Sequence, residues 1–247
     1  MRRIRTIASL ALQTAALLAS CAALADGYTG DLGLGIYTRQ GLYHGESAQT
    51  DVLPYVYGQW GRVFGRVDTF GYQLMPLSHG FLEISTRILQ DQMKSDSLKA
   101  AGVRERKNSR LLGVSTFQIT PMGAFSISLM QDVGKSKGQV FDASWIGALK
   151  PAPWLSIYPE FGIEVLSKKY GNYYYGVDQG EGGFSAYEAG WTKNPYVALH
   201  TSSPLGAGWN LAFTLRDKPL ATAISDSPIV AKMSRWNAYV AVSYEFK

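Results

Sequence analysis

The three histidines are the residues of this chain best suited to acid–base or metal chemistry, yet their placement favours neither. His44, His79 and His200 lie far apart in the sequence, and no pair has the spacing of metal ligands on one element. A hydrolase site would also need a histidine grouped with Asp or Ser. His79 is expected in a short turn, and His200 near a strand end at the rim opposite the long loops. We therefore expect three surface histidines, no catalytic residue, no metal and no cofactor.

Charged residues form a second set of candidates. They recur on the polar face of segments in which polar and apolar residues alternate, so they could line an interior and contact a solute there. Both signs are present, so the set predicts either a polar conduit for small solutes or a network of paired charges that fills a narrow interior. We favour the paired network, since a buried charge needs a partner. The residues expected to point inward are Arg66, Asp68, Glu83, Arg87, Arg110, Asp142, Glu160, Glu164, Arg216 and Glu245.

The elements that carry these charges are amphipathic segments of about 9–12 residues, the length of a tilted membrane strand. The clearest begins at Trp209, where Trp209, Leu211, Phe213 and Leu215 alternate with more polar residues. The last one, from Trp236 to Phe246, ends in the aromatic residues Tyr244 and Phe246, which we interpret as the insertion signal of an outer-membrane barrel. The segments predict an all-β fold, a transmembrane antiparallel β-barrel. A soluble β-sandwich is the alternative.

The connections between the segments come in two sizes, as in barrels with short periplasmic turns and long outer loops. Short turns are expected at 120–122, 150–153 and 203–206, and long loops at 91–107, 167–192 and 217–234. Eleven segments can be counted, with weak ones near 51–60, 62–73, 108–119 and 193–202. Both termini should be periplasmic, which requires an even number, so we predict 10–12 strands.

The N-terminus resembles a secretory signal. Arg2, Arg3 and Arg5 precede a short apolar stretch, and Ala23-Leu-Ala25 fits a cleavage site. We expect residues 1–25 to be a cleaved signal peptide and 26–247 to form the barrel. Leu18 to Cys21 also fits a lipoprotein box, so Cys21 is either lipidated or removed with the signal. A mature chain without cysteine can be neither a disulfide scaffold nor a thiolate enzyme.

The overall charge of +5 overstates how basic the mature protein is. Three of the 24 basic residues and none of the 19 acidic residues lie in the signal, which leaves 21 against 19, or about +2. This balance does not suggest nucleic acid as a partner. Basic residues do gather in two predicted outer loops, where they could contact lipopolysaccharide phosphates. These residues are Arg104, Arg106, Lys107, Lys168 and Lys169.

Two short motifs in the long loops resemble the MipA/OmpV family of outer-membrane proteins. They are Asn172-Tyr-Tyr-Tyr-Gly-Val177, followed by Tyr187, and Ile224-Ser-Asp-Ser-Pro-Ile-Val230; Val52-Leu-Pro54 also matches. Lys247 departs from the pattern, because the family usually ends on the aromatic residue. From the residues alone, both motifs are loop formers that we expect to pack against each other across the barrel mouth. The motif residues are Tyr173, Tyr174, Tyr175, Gly176, Asp226, Ser227 and Pro228.

The resemblance implies a protein of the Gram-negative outer membrane, and the signal peptide implies export by the Sec pathway. The scattered histidines lead us to expect no enzymatic activity. The resemblance also implies a scaffold for peptidoglycan remodelling, whose partners would be a murein lytic transglycosylase and a penicillin-binding protein, besides lipid and lipopolysaccharide. A narrow pore for small solutes and a surface adhesin or antigen are the alternatives. We expect a lumen closed by contacts between Arg and Glu if the protein is a scaffold.

Overall fold

The computed structural model describes residues 27–89 and 91–247. The expected signal peptide, 1–25, and Cys21 lie outside the described residues. Within these residues, no helix is long and apolar enough to span a membrane. Nearly all the regular structure is β-strand, as the period-two pattern predicts.

A single antiparallel sheet closes on itself to form a barrel, because β10 pairs with β8 and β9 on one side and with β11 on the other. Closure pairs the strands on both sides along most of their length, and the exception is the part of β2 near Gln49–Pro54, which pairs with β1 alone. The strands are β1 (Tyr28–Arg39), β2 (Gln49–Trp60), β3 (Val63–Arg66), β4 (Thr69–Leu77), β5 (Gly80–Arg87), β6 (Leu111–Thr120), β7 (Gly123–Asp132), β8 (Gln139–Ile146), β9 (Leu149–Ala152), β10 (Leu155–Leu166), β11 (Thr192–Gly206), β12 (Trp209–Pro219) and β13 (Ser234–Phe246).

The barrel has twelve strands, which confirms the predicted fold and resolves the odd count. β8 and β9 pair with the same neighbour, β10, and form one strand that is interrupted after Ile146. The weak segment at 62–73 was wrongly read as one strand. It contains β3, a tight turn and the start of β4. The short β3 was missed because its turn lacks Gly and Pro, the usual turn signals.

Short turns join the strands at one end of the barrel, and longer segments join them at the other, apart from the tight turn between β3 and β4. We call these the turn end and the loop end. The turns at 153–154 and 207–208 lie slightly later than expected, because β9 and β11 extend further. Gly30 pairs with Phe246, so β1 starts beside the end of β13 at the turn end. The loop segments contain α1 (Asp96–Ala100), α2 (Lys168–Tyr175), a 3₁₀ turn (Glu181–Gly183) and α3 (Thr222–Ser225).

Side chains alternate between the lumen and the outer surface along each strand. On β12, for example, Leu211 and Leu215 face outward and are half-exposed, whereas Thr214 and Arg216 bond to groups inside the barrel. Many large apolar side chains are therefore exposed to the surroundings, as lipid contact requires. The main buried apolar cluster lies at the loop end, where residues of the loops pack over the upper lumen.

Candidate functional site

The lumen contains paired charges. The first pair lies on the side of the barrel formed by β3 to β6. Both guanidinium NH₂ groups of Arg66 bond to the carboxylate of Glu83, at 2.9 and 2.7 Å. The same guanidinium lies 4.1 Å from the ring centre of Phe64 and 4.7 Å from that of Phe117. A bidentate ion pair between two aromatic rings is held in one geometry, so it fills space rather than offering a free charge.

A second charged cluster lies opposite, on β8 and β10 to β12. Glu160 accepts hydrogen bonds from Arg216 at 3.1 Å and from Tyr196 at 3.3 Å, and it bonds to His200 Nε2 at 2.9 Å. Asp142 also accepts a bond from Tyr196, at 3.1 Å. Towards the loop end, Lys218 Nζ lies 2.8 Å from a Glu164 oxygen. Each of these carboxylates thus has a donor inside the barrel.

The remaining charges expected in the lumen differ in their surroundings. Arg87 bonds to the hydroxyl of Ser128 at 3.2 Å and interacts electrostatically with Asp68 and Asp142. Asp68 lies in the exposed turn between β3 and β4. Arg110 and Glu245 are exposed near opposite ends of the barrel and do not belong to the inner network.

Large tyrosines fill much of the lumen between the charges, and glycines make room for them. A Cβ on Gly162 would lie 2.2 Å from the Tyr196 ring, and one on Gly35 would lie 2.5 Å from the Tyr239 ring. The Tyr239 hydroxyl also donates to the carbonyls of Leu53 and Pro54, at 3.2 and 3.0 Å. The interior is therefore packed across the barrel and not only along its wall.

A lid covers the lumen at the loop end, and the tyrosines of the 172–177 motif form its centre. Tyr174 and Tyr175 are buried, as is Tyr170 one turn earlier on α2, and adjacent rings pack 4.7–6.2 Å apart. Tyr174 donates to the carbonyl of Lys107, and Tyr43 donates to the carbonyl of Tyr174, at 2.7 and 3.2 Å. These bonds connect α2 to two other loops.

The two motif-bearing loops meet in this lid. Ser227 donates to the carbonyl of Tyr175 at 2.6 Å, and Tyr187 donates to the carbonyl of Ala223 at 3.0 Å. Asp226 and Pro228 flank Ser227 at the end of α3, and Gly176 caps α2. The motif residues thus join the loops and provide no nucleophile or base.

A buried ion pair lies beneath the lid. Arg235 and Tyr170 donate to Asp91, at 2.5 and 2.7 Å. Burial alone would raise the pKa of the Asp91 carboxyl, but the charges of Arg235 and Lys218 and the bond from Tyr170 outweigh it and hold that pKa below its ordinary value. Burial raises the pKa of the Tyr170 and Tyr175 hydroxyls, which therefore remain protonated donors.

Acids in the loops pair with most of the basic residues expected to contact lipopolysaccharide. Arg106 is fully buried, with its guanidinium on Glu181 at 2.7 Å, so it is not exposed to phosphate and that expectation is wrong. Arg104 pairs with Asp178 and is partly exposed. Lys107 lies 3.4 Å from Glu105, and Lys168 lies 2.6 Å from Glu188, whereas Lys169 is exposed.

The histidines are far apart, but the expected position of His200 was wrong. It lies near the middle of β11, with Nε2 on Glu160 and Nδ1 3.0 Å from Thr214 Oγ1. His44 and His79 are exposed at the loop end and the turn end. No group of three or more His, Cys, Asp or Glu that could hold a metal occurs in residues 27–89 and 91–247.

The aromatic end of β13 is ordered against its neighbours. The Phe246 ring lies 6.0 Å from Tyr28 and 5.2 Å from Tyr244, edge to face in both cases, and Tyr244 packs on Trp209 at 5.5 Å. Such pairs stabilise beyond the area that they bury. They join the last strand to both of its neighbours at the turn end.

Residues 32–246 match the model of a protein family described as MltA-interacting protein MipA. The chain is 23% identical to the putative outer membrane protein YiaT of Escherichia coli over 222 residues, which cover 87% of this chain and 90% of YiaT. It is 25% identical to the outer membrane protein OmpV of Vibrio cholerae, over 83% of this chain and 76% of OmpV. It is 27% identical to the MltA-interacting protein of Escherichia coli, over 58% of each chain.

Proposed function

The chain belongs to the MltA-interacting protein MipA family, and from this premise we propose that it is a non-enzymatic scaffold for peptidoglycan-remodelling enzymes. The barrel fold and the names of its relatives place it in the Gram-negative outer membrane. One relative is named for interaction with MltA, which suggests a murein transglycosylase as partner. A penicillin-binding protein is the second proposed partner, and lipopolysaccharide would contact the exposed basic loop residues.

The observation that supports a scaffold over a pore is the closed interior. Arg66 pairs with Glu83 and Arg216 pairs with Glu160, at 2.7 and 3.1 Å, and a buried tyrosine lid lies above them. Paired charges between packed rings leave little mobile polar surface for a passing solute. The catalytic alternative has weaker support. His200 lies between Glu160 and the Thr214 hydroxyl, but Glu160 is also bound by Arg216 and Tyr196 within the charge network, and the tyrosine lid covers the lumen above it.

The turn end is the surface that would meet enzymes of the periplasm. Met122 lies there between β6 and β7 and is 76% exposed, and Met233 is 81% exposed at the loop end. Methionine is enriched at interfaces between proteins, so an exposed methionine at this end is a suitable position at which to test for a partner. Because the two methionines lie at opposite ends, they allow a matched comparison.

The test is affinity purification of the tagged protein from solubilised envelopes, scored for a lytic transglycosylase and a penicillin-binding protein. We expect both enzymes to be enriched with the unaltered chain and with Met233→Asp, and to be lost or reduced with Met122→Asp. Recovery of neither enzyme with the unaltered chain would refute the scaffold. Conductance by the purified barrel in planar bilayers would favour the narrow pore instead.

A further inference from the structure

The wall of the barrel is incomplete beside the upper half of β2. Only Tyr57–Trp60 of β2 pair with β3, which ends at Arg66. The last backbone bond across this seam runs from Val67 N to Val56 O, at 2.8 Å. Towards the loop end, β2 continues through Gln49–Pro54 and pairs with β1 alone. The short β3–β4 hairpin therefore leaves a gap in the wall, which we call the lateral opening.

Pro54 marks this edge as one that is not built to pair with another strand. Along a β-strand, the backbone N–H and C=O groups of every second residue point to the same side. The backbone groups of Val52 and Pro54 therefore point to the side on which Val56 bonds to Val67. Proline has no N–H, and it is confined to positions where none is needed. Its carbonyl already accepts a bond from Tyr239. A partner strand is thus a poor occupant for the opening.

A cavity of about 310 Å³ lies at the lateral opening, lined by Arg39, Asp51, Val52, Leu53, Lys94 and Asn108. Leu53 and Asp51 share the lumen face of β2 with Tyr55, whose ring lies 5.9 Å from Tyr239. Val52 points outward and is 71% exposed. Since inward and outward residues border one cavity, the cavity extends around the free edge of β2 and connects the lumen side of the wall with its lipid side.

Two opposite charges face this cavity without an ion-pair partner in the described residues. The interactions of Asp51 and Lys94 include no salt bridge, and the backbone N–H of Lys94 bonds to Glu46 at 3.1 Å. Arg39 also lines the cavity; it lies 3.7 Å from Glu46, and its Nε and Nη1 atoms have no hydrogen-bond partner in the described residues. The lining therefore includes one acid, Asp51, and two bases, Lys94 and Arg39, and of these Asp51 and Lys94 have no ion-pair partner in the described residues.

We propose that the lateral opening binds a zwitterionic amphiphile. Its cationic group would contact Asp51, its anionic group would contact Lys94, and its chain would leave along the outer surface past Val52. Each charged group of the ligand would thereby pair with a side chain of opposite charge. Pairing is favourable because a partly buried charge without a partner is costly.

The test uses water-soluble probes that share a hexyl chain and differ in head group: hexylphosphocholine, hexyl sulfate and hexyltrimethylammonium. Binding to the barrel in a non-ionic amphipol is measured by titration calorimetry. We expect the zwitterion to bind about tenfold more tightly than either ion. Glycerophosphocholine, which has no hexyl chain, should bind more weakly than hexylphosphocholine.

Substitutions should change this preference in opposite directions. Asp51→Asn should weaken binding of the zwitterion and improve binding of hexyl sulfate, whereas Lys94→Gln should improve binding of the cationic probe. Lys99→Gln, on exposed α1 of the same segment, is the matched control and should change nothing. A gain of binding cannot result from misfolding, and heat-modifiable migration on gels verifies that each variant is folded.

Equal binding of all three probes, no binding at all, or the same loss in every variant would overturn the proposal. A membrane lipid and a free amphiphile share the proposed chemistry, and phosphatidylcholine nanodiscs distinguish them. Probe binding that disappears there identifies bilayer lipid as the occupant, and binding that persists identifies a free amphiphile. Either result supports the proposal only together with the selectivity changes at Asp51 and Lys94.

Discussion

Adjacent residues on one strand meet opposite environments in this protein, and β12 shows this most clearly. Phe213 pairs with Val240 and faces outward, whereas the Thr214 hydroxyl lies 3.0 Å from His200 inside. Phe213→Arg places a charge in hydrocarbon, at a cost of about 2–4 kcal/mol near the midplane. In Thr214→Arg the new side chain can reach Glu160, so we expect a smaller loss. Reversible unfolding in lipid vesicles measures both. An equal cost would contradict the assigned faces.

The ion pair of Asp91 with Arg235 should make the stability of the lid depend on pH. Because the pKa of Asp91 is held below its ordinary value in the fold, its contribution is present above about pH 4 and is lost as the pH falls further. Asp91→Asn leaves Arg235 buried without its anion, and we expect a loss of about 3–5 kcal/mol at pH 7.

Unfolding at pH 7 and pH 3 measures this contribution. We expect the unaltered protein to lose more stability on acidification than Asp91→Asn, because the variant has no carboxylate there to protonate. Asp96→Asn, at an exposed position on α1, should behave like the unaltered protein. An identical pH dependence in Asp91→Asn and the unaltered protein would show that this ion pair does not stabilise the lid.

Local sequence patterns could not have predicted this ion pair. Asp91 and Arg235 are 144 residues apart, and neither belongs to a recognisable motif. They meet only because closure of the barrel brings β13 beneath the segment that follows β5. In contrast, the inward position of Glu160 and Arg216 could be predicted, since it depends only on alternation within each strand.

Among the elements, the strands with strong alternation were located from the sequence, and β3 was not. Its turn contains Val67 at φ +60°, a conformation that β-branched residues rarely adopt and that usually marks Gly or Asn. The sequence therefore carries only a weak turn signal there, Asp68, without Gly, Pro or Asn. The same short strand creates the lateral opening, so the element that prediction missed is also the one that departs from a regular barrel.

The last strand, β13, should be the element on which insertion depends. Deletion of Phe246 with Lys247 removes the ring that packs on Tyr28 and Tyr244, and we expect a sharp fall in assembled barrel. Deletion of Lys247 alone removes an exposed residue that pairs only with Glu245, and it should have little effect or help assembly. Heat-modifiable migration reports assembly. Unchanged assembly without Phe246 would show that the insertion signal lies elsewhere.

At the scale of the whole molecule, the two ends of the barrel are chemically different. The loop end contains the buried core and the lid, and the turn end consists of tight turns with both ends of the described chain nearby. The proposed scaffold and the proposed lipopolysaccharide contacts require opposite ends to face opposite compartments. The orientation of the barrel is therefore the property on which both proposals depend.

We expect the loop end to face the outside of the cell, because outer-membrane barrels place long connections there and short turns in the periplasm. Gly102 and Gly61 provide matched insertion sites for an epitope tag. Both have positive φ, and a Cβ built on either meets no atom within 4 Å. A tag at Gly102 should be labelled by antibody on intact cells, whereas a tag at Gly61 should be labelled only after the outer membrane is permeabilised. Labelling at Gly61 on intact cells would invert the barrel and remove the turn end as a surface for periplasmic enzymes.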